Sequence, residues 1–147
     1  MISEKSAGAI LFRKEGETRL YLLLNYTGGH WDFPKGNIEQ GEKEEETTKR
    51  EIQEETGISD ISFFPGFKEK IRYFYRREGQ QVSKEVIYFL AETKIAEVKI
   101  SWEHKGFEWL MFKDALERTT FNNSKAILKK AEEVLSGSKG LGKFLQK

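Results

Sequence analysis

The chain has 147 residues, 37% of them hydrophobic and 13% aromatic, which is enough for one domain with its own core. Its 25 basic and 24 acidic residues nearly cancel, which argues against a general nucleic-acid-binding protein. The absence of cysteine excludes disulfides and thiolate chemistry, and two histidines supply a zinc site poorly. No apolar run approaches the ~20 residues that span a bilayer, and the first residues lack a signal-peptide pattern, so we expect a soluble cytoplasmic protein.

The first part of the chain predicts two strands and a shaped loop. Residues 6–13 indicate a strand in which Gly8 permits either the close approach of another backbone segment or a bulge. Residues 19–26 are almost continuously apolar and predict a strand that is buried on both faces. Residues 27–36 combine glycines, a proline and aromatic residues, which favours a loop of fixed shape.

A strongly acidic helix is expected next, from about Glu42 to Thr56. Its only large apolar residue after Lys43 is Ile52, and Gly57 provides a C-terminal stop. Three carboxylates have the spacing i, i+3, i+4 that places them on one helix face: Glu51, Glu54 and Glu55. Because neighbouring carboxylates repel one another, this face favours a bound cation, and we interpret it as a site for hard divalent metal ions.

The rest of the chain continues the alternation of strands and helices. After short β-like pieces broken at Pro65, the pattern predicts strands at 67–76, 82–92 and 107–112 and helices at 113–118 and 124–135. This order predicts an α/β fold with a mixed sheet between helical layers. We find no internal repeat or linker, so we expect a single domain over residues 1–147, with 137–147 as a flexible Gly/Ser/Lys-rich tail.

The acidic helix also carries a family resemblance. The stretch from Gly36 to Ile58 resembles the Nudix signature at every position that the signature specifies, without a gap: Gly36, Glu42, Arg50, Glu51, Ile52, Glu54, Glu55, Gly57 and Ile58. Agreement at so many fixed positions is a strong signal, whereas a glutamate-rich helix alone would be a weak one.

The resemblance extends beyond the signature to nearly the whole chain before Ser136. The segments Trp31–Gly36, Gly66–Lys68, Val86–Glu92 and Glu103–Leu110 are similar to the asymmetrical diadenosine tetraphosphate hydrolases. This resemblance implies an α/β/α sandwich around a central mixed β-sheet. It also implies hydrolysis of a nucleoside diphosphate linked to another group, with magnesium, or manganese in its place, as the cofactor.

The resemblance assigns the residues of a catalytic and metal site. It implies metal binding by Glu51, Glu54, Glu55 and Glu103 and by the backbone carbonyl of Lys35 or Gly36. Arg50 is expected to act with these catalytic carboxylates by pairing with the glutamates of the helix and with Glu42. The residue that deprotonates the attacking water is left open among Glu51, Glu55 and Glu103.

Substrate contacts are implied at five further positions. We expect His30, Lys35 and Lys84 to contact phosphates, and Tyr73 and Phe121 to hold an adenine ring between them. The partner is then a small-molecule dinucleoside polyphosphate, with no membrane contact, and we expect a monomer.

These inferences favour magnesium-dependent hydrolysis of diadenosine tetraphosphate to AMP and ATP. One alternative is another Nudix pyrophosphohydrolase that acts on nucleoside triphosphates or on the 5′-triphosphate end of RNA. Only that alternative would give the protein a nucleic-acid partner. A second alternative is a non-catalytic module that senses a nucleotide, although such a module has no need of the intact glutamates.

Overall fold

The structure is a computed structural model, and it describes residues 1–137. The tail predicted over 137–147 therefore lies outside the described residues, apart from Gly137. The strands are β1 (Ile2–Glu15), β2 (Thr18–Tyr26), β3 (Trp31–Asp32), β4 (Lys35–Asn37), β5 (Ser62–Arg77), β6 (Gln80–Glu92) and β7 (His104–Leu110). The helices are α1 (Glu44–Thr56), α2 (Phe112–Arg118) and α3 (Asn122–Glu132), and α3 continues into a π-helical turn, Glu133–Gly137.

Within residues 1–137, seven strands form one mixed sheet. The order is β3-β2-β1-β6-β5, with β4 and β7 pairing off this path onto β1 and β2. The long strands β1 and β6 run parallel from Ile2↔Val82 to Phe12↔Glu92, and the other pairs are antiparallel. The predicted mixed sheet is thereby confirmed.

Side chains along the central strands point alternately to the two faces of the sheet, and each face carries its own hydrophobic core. On one face, Leu22, Leu24 and Ile87 pack with Ile52 of α1. On the other face, a second core joins side chains of the central strands to side chains of α2 and α3. Its strand members are Ile10, Phe12, Tyr21, Leu23, Val86, Tyr88 and Leu90, and its helix members are Ala115, Ile127, Leu128 and Ala131. A sheet buried on both faces requires helices on both sides. The predicted α/β/α sandwich is therefore confirmed.

Some element boundaries differ from the predicted ones. Strand β5 begins at Ser62 and continues through Pro65, because a register shift between Phe63 and Lys68 accommodates the proline. The apolar run at 107–112 is not one strand: β7 ends at Leu110 and Phe112 begins α2. Both elements face the same core, so the hydrophobic pattern did not reveal the break.

The loop after β3 crosses β1 at Gly8. A Cβ atom at Gly8 would lie 2.2 Å from the carbonyl oxygen of Pro34, which no side chain can tolerate. Instead, the Ala9 N–H donates to that carbonyl at 3.2 Å, and β4 pairs with β1. The close approach predicted at Gly8 is confirmed, and it brings the loop against α1.

Candidate active site

Helix α1 is fixed at both ends and along one face. The Lys43 N–H donates to the Glu46 side chain at 2.8 Å, and Gly57 ends the helix at φ +79°, in the left-handed region where glycine is favoured. Thr48, Ile52 and Thr56 are buried against the sheet. The adjoining face of the helix carries the acidic residues Glu51, Glu54 and Glu55.

The three carboxylates of that face differ in exposure. The side chains of Glu51 and Glu55 are 13% and 6% exposed, whereas that of Glu54 is 58% exposed. Burial raises the pKa of Glu51, and burial together with the charge of Glu51 raises the pKa of Glu55 to about 9. Two buried carboxylates in one place fit a hard divalent cation, which supplies the missing positive charge through oxygen ligands.

Strand β4 packs directly on these carboxylates. A Cβ atom at Gly36 would lie 1.9 Å from the carboxyl carbon of Glu51, so a residue with a side chain does not fit there. The Lys35 N–H donates to Oε1 of Glu55 at 3.2 Å. The backbone of residues 35–36 is thus in contact with two of the predicted metal ligands.

Arg50 joins the helix to the preceding turn. Its guanidinium donates to both carboxylate oxygens of Glu42, at 2.6 and 3.1 Å, and to the carbonyl of Asn37 at 3.0 Å. It also donates to Glu51 at 2.9 Å and to Glu54 at 3.1 Å. The Arg50 hydrogen bond lowers the pKa of Glu42 to about 2, so this pair stays charged at neutral pH. The expected contact between Arg50 and Glu42 is present.

The first residue of β7, His104, approaches the cluster. Its Nε2 lies 4.0 Å from Oε2 of Glu55, and its Nδ1 lies 3.1 Å from Oγ of Ser101. Glu103 is adjacent in sequence and exposed. Within residues 1–137, no three acidic or imidazole side chains lie close enough to one another to hold a metal ion in this arrangement. The metal roles of Glu51, Glu54, Glu55 and Glu103 therefore stay predictions.

A row of rings leads away from the carboxylates. Tyr26 packs against the edge of His104 at 4.5 Å and stacks on His30 at 4.8 Å, and His30 lies 5.3 Å from Phe121. Nζ of Lys35 lies 4.7 Å above the Tyr26 ring. Burial and the charge of Lys35 lower the pKa of His30 below its ordinary value.

The row ends at a cavity of about 530 Å³, between the β5–β6 end of the sheet and the start of α3. Four predicted substrate residues line it: His30, Lys35, Tyr73 and Phe121. The fifth, Lys84, lies beside the site, with its Nζ 3.2 Å from Oδ1 of Asn37 and 3.5 Å from Oε1 of Glu4. A cavity of this size is typical of small-molecule sites.

The cavity also contains residues that the sequence reasoning missed. Tyr75, Tyr88, Ser124 and Asp32 line it as well. Side chains two residues apart on a strand lie on the same face, so Tyr73 could have indicated Tyr75. In the same way, Tyr88 could have been found from its place on the face of β6 that packs against α3. Nothing in the sequence pattern distinguishes Asp32 from an ordinary loop acid.

Comparison with known proteins agrees with this domain. The NUDIX domain model matches residues 3–131. Bis(5′-nucleosyl)-tetraphosphatase [asymmetrical] of Mus musculus is 36% identical over 143 residues, covering 89% of this chain and 95% of that protein. The enzyme of the same name from Caenorhabditis elegans is 30% identical over 138 residues, covering 90% and 97%. A crystal structure of a C. elegans Ap4A hydrolase binary complex superposes with a TM-score of 0.81, at 29% identity over 91% of this chain and 98% of that one.

The fold and site define an α/β/α domain with a glutamate-rich helix suited to divalent metal ions. The chain belongs to the Nudix family, as the signature at Gly36–Ile58 predicted. Hydrolases of this family generally use divalent metal ions. No helix within the described residues is long and apolar enough to cross a membrane.

Proposed function

We propose that the protein hydrolyses dinucleoside polyphosphates, and diadenosine tetraphosphate above all, to AMP and ATP. The supporting observation is that a metal-suited carboxylate cluster and a nucleoside-sized cavity are joined by the His30–Tyr26–His104 row. The similarity to asymmetrical tetraphosphatases, over about nine-tenths of both chains, agrees with this proposal. We propose magnesium as the ion, with manganese as a substitute, and a monomeric enzyme.

The proposed ligands of the ion are the carboxylates of Glu51, Glu54, Glu55 and Glu103 and a backbone carbonyl of Lys35 or Gly36. When bound, magnesium neutralises phosphate charge and makes a water molecule more acidic. Buried Glu51 or Glu55, or Glu103 in the adjacent turn, then accepts the proton of the attacking water. Arg50 holds the helix carboxylates in place through the contacts described above.

The remaining parts of the substrate are assigned to the basic and aromatic side chains around the carboxylates. Lys35 and Lys84 supply positive charge to the phosphates, while His30 donates a ring N–H to one of them. Tyr73 and Phe121 are respectively 36% and 48% exposed, so a base can stack on both rings at the cavity mouth. This arrangement holds one nucleoside and leaves the chain of phosphates to reach the carboxylates.

A substrate panel tests the proposal. The purified protein with Mg²⁺ is incubated with diadenosine tetraphosphate, with nucleoside triphosphates and with triphosphate-ended RNA, and kcat/KM is measured for each. We expect the highest value for diadenosine tetraphosphate. Turnover of the triphosphates or of RNA alone would assign the protein to the alternative pyrophosphohydrolase, and tight binding without turnover would indicate a sensor module.

Replacing one carboxylate tests the metal site. Glu54→Gln removes a charge from an exposed side chain, so we expect an intact fold and a loss of most turnover, on the order of a hundredfold or more. Glu45→Gln is the matched control, because Glu45 is exposed in the first turn of the same helix. Near-normal activity of Glu54→Gln, measured beside circular dichroism, would contradict the assignment.

A further inference from the structure

The proposed substrate has two nucleosides, and the contacts assigned above hold only one of them. Tyr73 and Phe121 lie at the cavity, where a base can stack on their rings. From there the phosphates extend toward the carboxylates of α1. A substrate that continues in this direction places its second nucleoside beyond the carboxylates, away from the cavity.

The turn that leads into β7 lies at that end of the site. The row of rings begins beside the cavity with Phe121 and His30, continues with Tyr26 and ends at His104, with successive distances of 5.3, 4.8 and 4.5 Å. His104 also approaches the carboxylates, since its Nε2 lies 4.0 Å from Oε2 of Glu55. The residues just before His104 therefore lie next to the carboxylates, at the end of the row away from the cavity.

Hydrogen bonds give this turn a fixed shape. The His104 N–H donates to the carbonyl of Ser101 at 3.1 Å, which closes a four-residue turn. Oγ of Ser101 lies 3.1 Å from Nδ1 of His104 and accepts the N–H of Glu103 at 3.3 Å. Trp102 and Glu103 are the two central residues of the turn, and both are exposed. The indole of Trp102 is thus held beside the proposed metal ligand Glu103.

The ring of Trp102 is almost entirely free of contacts with the fold. The residue is 87% exposed, the largest value among the exposed large hydrophobic residues of the described part of the chain. Tryptophan is highly buried on average, because its indole contributes a large apolar area to cores and interfaces. A single exposed apolar side chain does not by itself indicate a ligand. Here the exposed ring also stands where the second nucleoside is expected, and a base can stack on it.

We propose that Trp102 stacks on the base of the second nucleoside and thereby makes the protein favour dinucleoside over mononucleoside polyphosphates. This inference rests on the proposed function, because it needs a substrate with a nucleoside at each end. Stacking on an aromatic ring has little sequence preference, so the contact selects for the presence of a second base and not for its identity. Trp102 determines specificity and takes no part in the hydrolysis itself.

Adenosine 5′-tetraphosphate is the compound that tests the proposal. It has the four phosphates of diadenosine tetraphosphate but only one nucleoside, so it cannot make the contact with Trp102. We compare kcat/KM for the two compounds with Mg²⁺. Because the free terminal phosphate carries additional charge, the readout is the change in the ratio of the two values when residue 102 is substituted.

Trp102→Ala should lower kcat/KM for diadenosine tetraphosphate about 10-fold and leave the value for adenosine 5′-tetraphosphate unchanged, because only the first compound loses a stacked base. Trp102→Phe should retain most of the wild-type ratio, since its smaller ring can still stack. The thermal midpoint of Trp102→Ala should equal that of the wild type, because the deleted ring is exposed.

Phe74→Ala is the matched control. Phe74 is an exposed aromatic residue of β5, and its side chain points to the face of the strand opposite to that of Tyr73. We expect this variant to keep the wild-type ratio. An unchanged ratio in Trp102→Ala would overturn the proposal. An equal loss of activity with both compounds would also overturn it, because Trp102 would then act through the shape of the turn and not through a base.

The proposed function can fail separately. If the wild-type protein cleaves nucleoside triphosphates and not diadenosine tetraphosphate, the tetraphosphatase assignment is abandoned. The two tetraphosphates are then measured as competitive inhibitors of the triphosphate reaction. An inhibition constant that rises about 10-fold in Trp102→Ala for diadenosine tetraphosphate alone would still support the contact with a second nucleoside. Equal inhibition constants in the wild type and in Trp102→Ala would overturn it.

Discussion

At the scale of single residues, the lack of a side chain at Gly36 leaves room for the carboxylate of Glu51. The carboxylate of Glu51 occupies the space that a Cβ atom at residue 36 would need. Glu51 is largely buried and also accepts a hydrogen bond from Arg50 at 2.9 Å. Its position is therefore set jointly by the glycine and by the arginine.

Gly36→Ala should displace the Glu51 carboxylate and reduce kcat by about a hundredfold, because catalytic groups tolerate little misplacement. The fold should persist, since the change is confined to one short edge strand. Gly106→Ala is the control: a Cβ atom there meets nothing within 4 Å. Equal activity of the two variants in steady-state assays would show that Glu51 can move without consequence.

The burial of the Glu55 carboxyl should be visible in the pH dependence of the free energy of unfolding. A folded-state pKa of about 9, above the ordinary value of 4.5, means that the folded protein binds a proton that the unfolded chain has lost. Without metal, the contribution of Glu55 to stability is then greatest below about pH 5 and falls as pH rises from about 5 to about 9. In Glu55→Gln, the stability should decrease less over this pH range. The measurement is the thermal midpoint of each protein at a series of pH values in the presence of EDTA. Parallel curves for the two proteins would contradict the assignment.

At the scale of elements, α1 combines a structural face with a chemical face. Thr48, Ile52 and Thr56 fix the helix to the sheet, while Arg50 ties its outer face to the turn at Glu42. The planar guanidinium presents five N–H donors in a fixed arrangement that matches several acceptors at once, whereas the ammonium of a lysine is a compact charge without that geometry. The helix therefore depends on the shape of Arg50 as well as on its charge.

Arg50→Lys should reduce turnover about 10- to 100-fold although the net charge is unchanged, because the two-point contact with Glu42 is lost. We expect circular dichroism to remain that of the wild type. Lys49→Arg, an exposed neighbour on the same helix, is the control and should keep full activity. Full turnover of Arg50→Lys would show that charge alone is sufficient.

The elements that the sequence predicted well are those with a strong local pattern. The signature helix carries fixed spacing and a glycine stop, and β2 carries an unbroken apolar run whose Tyr21 to Leu24 are all buried. The continuation of β5 through Pro65 depends on a register shift against β6, which is a pairing between distant segments. Local sequence contains no information on that pairing.

At the scale of the whole molecule, the fold brings together parts that are far apart in sequence. The carboxylates come from α1, the cavity from β5, β6 and the start of α3, and the row of rings from β2 and the turns around it. The carboxylate cluster of α1 was predictable because it lies in one segment. The place of Asp32 and Tyr88 in the cavity wall was not, because β3 and β6 come together only in the folded chain.

The most direct measurement of the central claim is the identity of the products from diadenosine tetraphosphate with Mg²⁺, separated by ion-exchange chromatography at early time points. The two ends of the substrate are equivalent until one nucleoside occupies the cavity and the phosphates extend toward α1. We therefore predict AMP and ATP in equal amounts, and no reaction when the metal is removed with EDTA. Two molecules of ADP as the products would contradict the asymmetrical cleavage that the account requires.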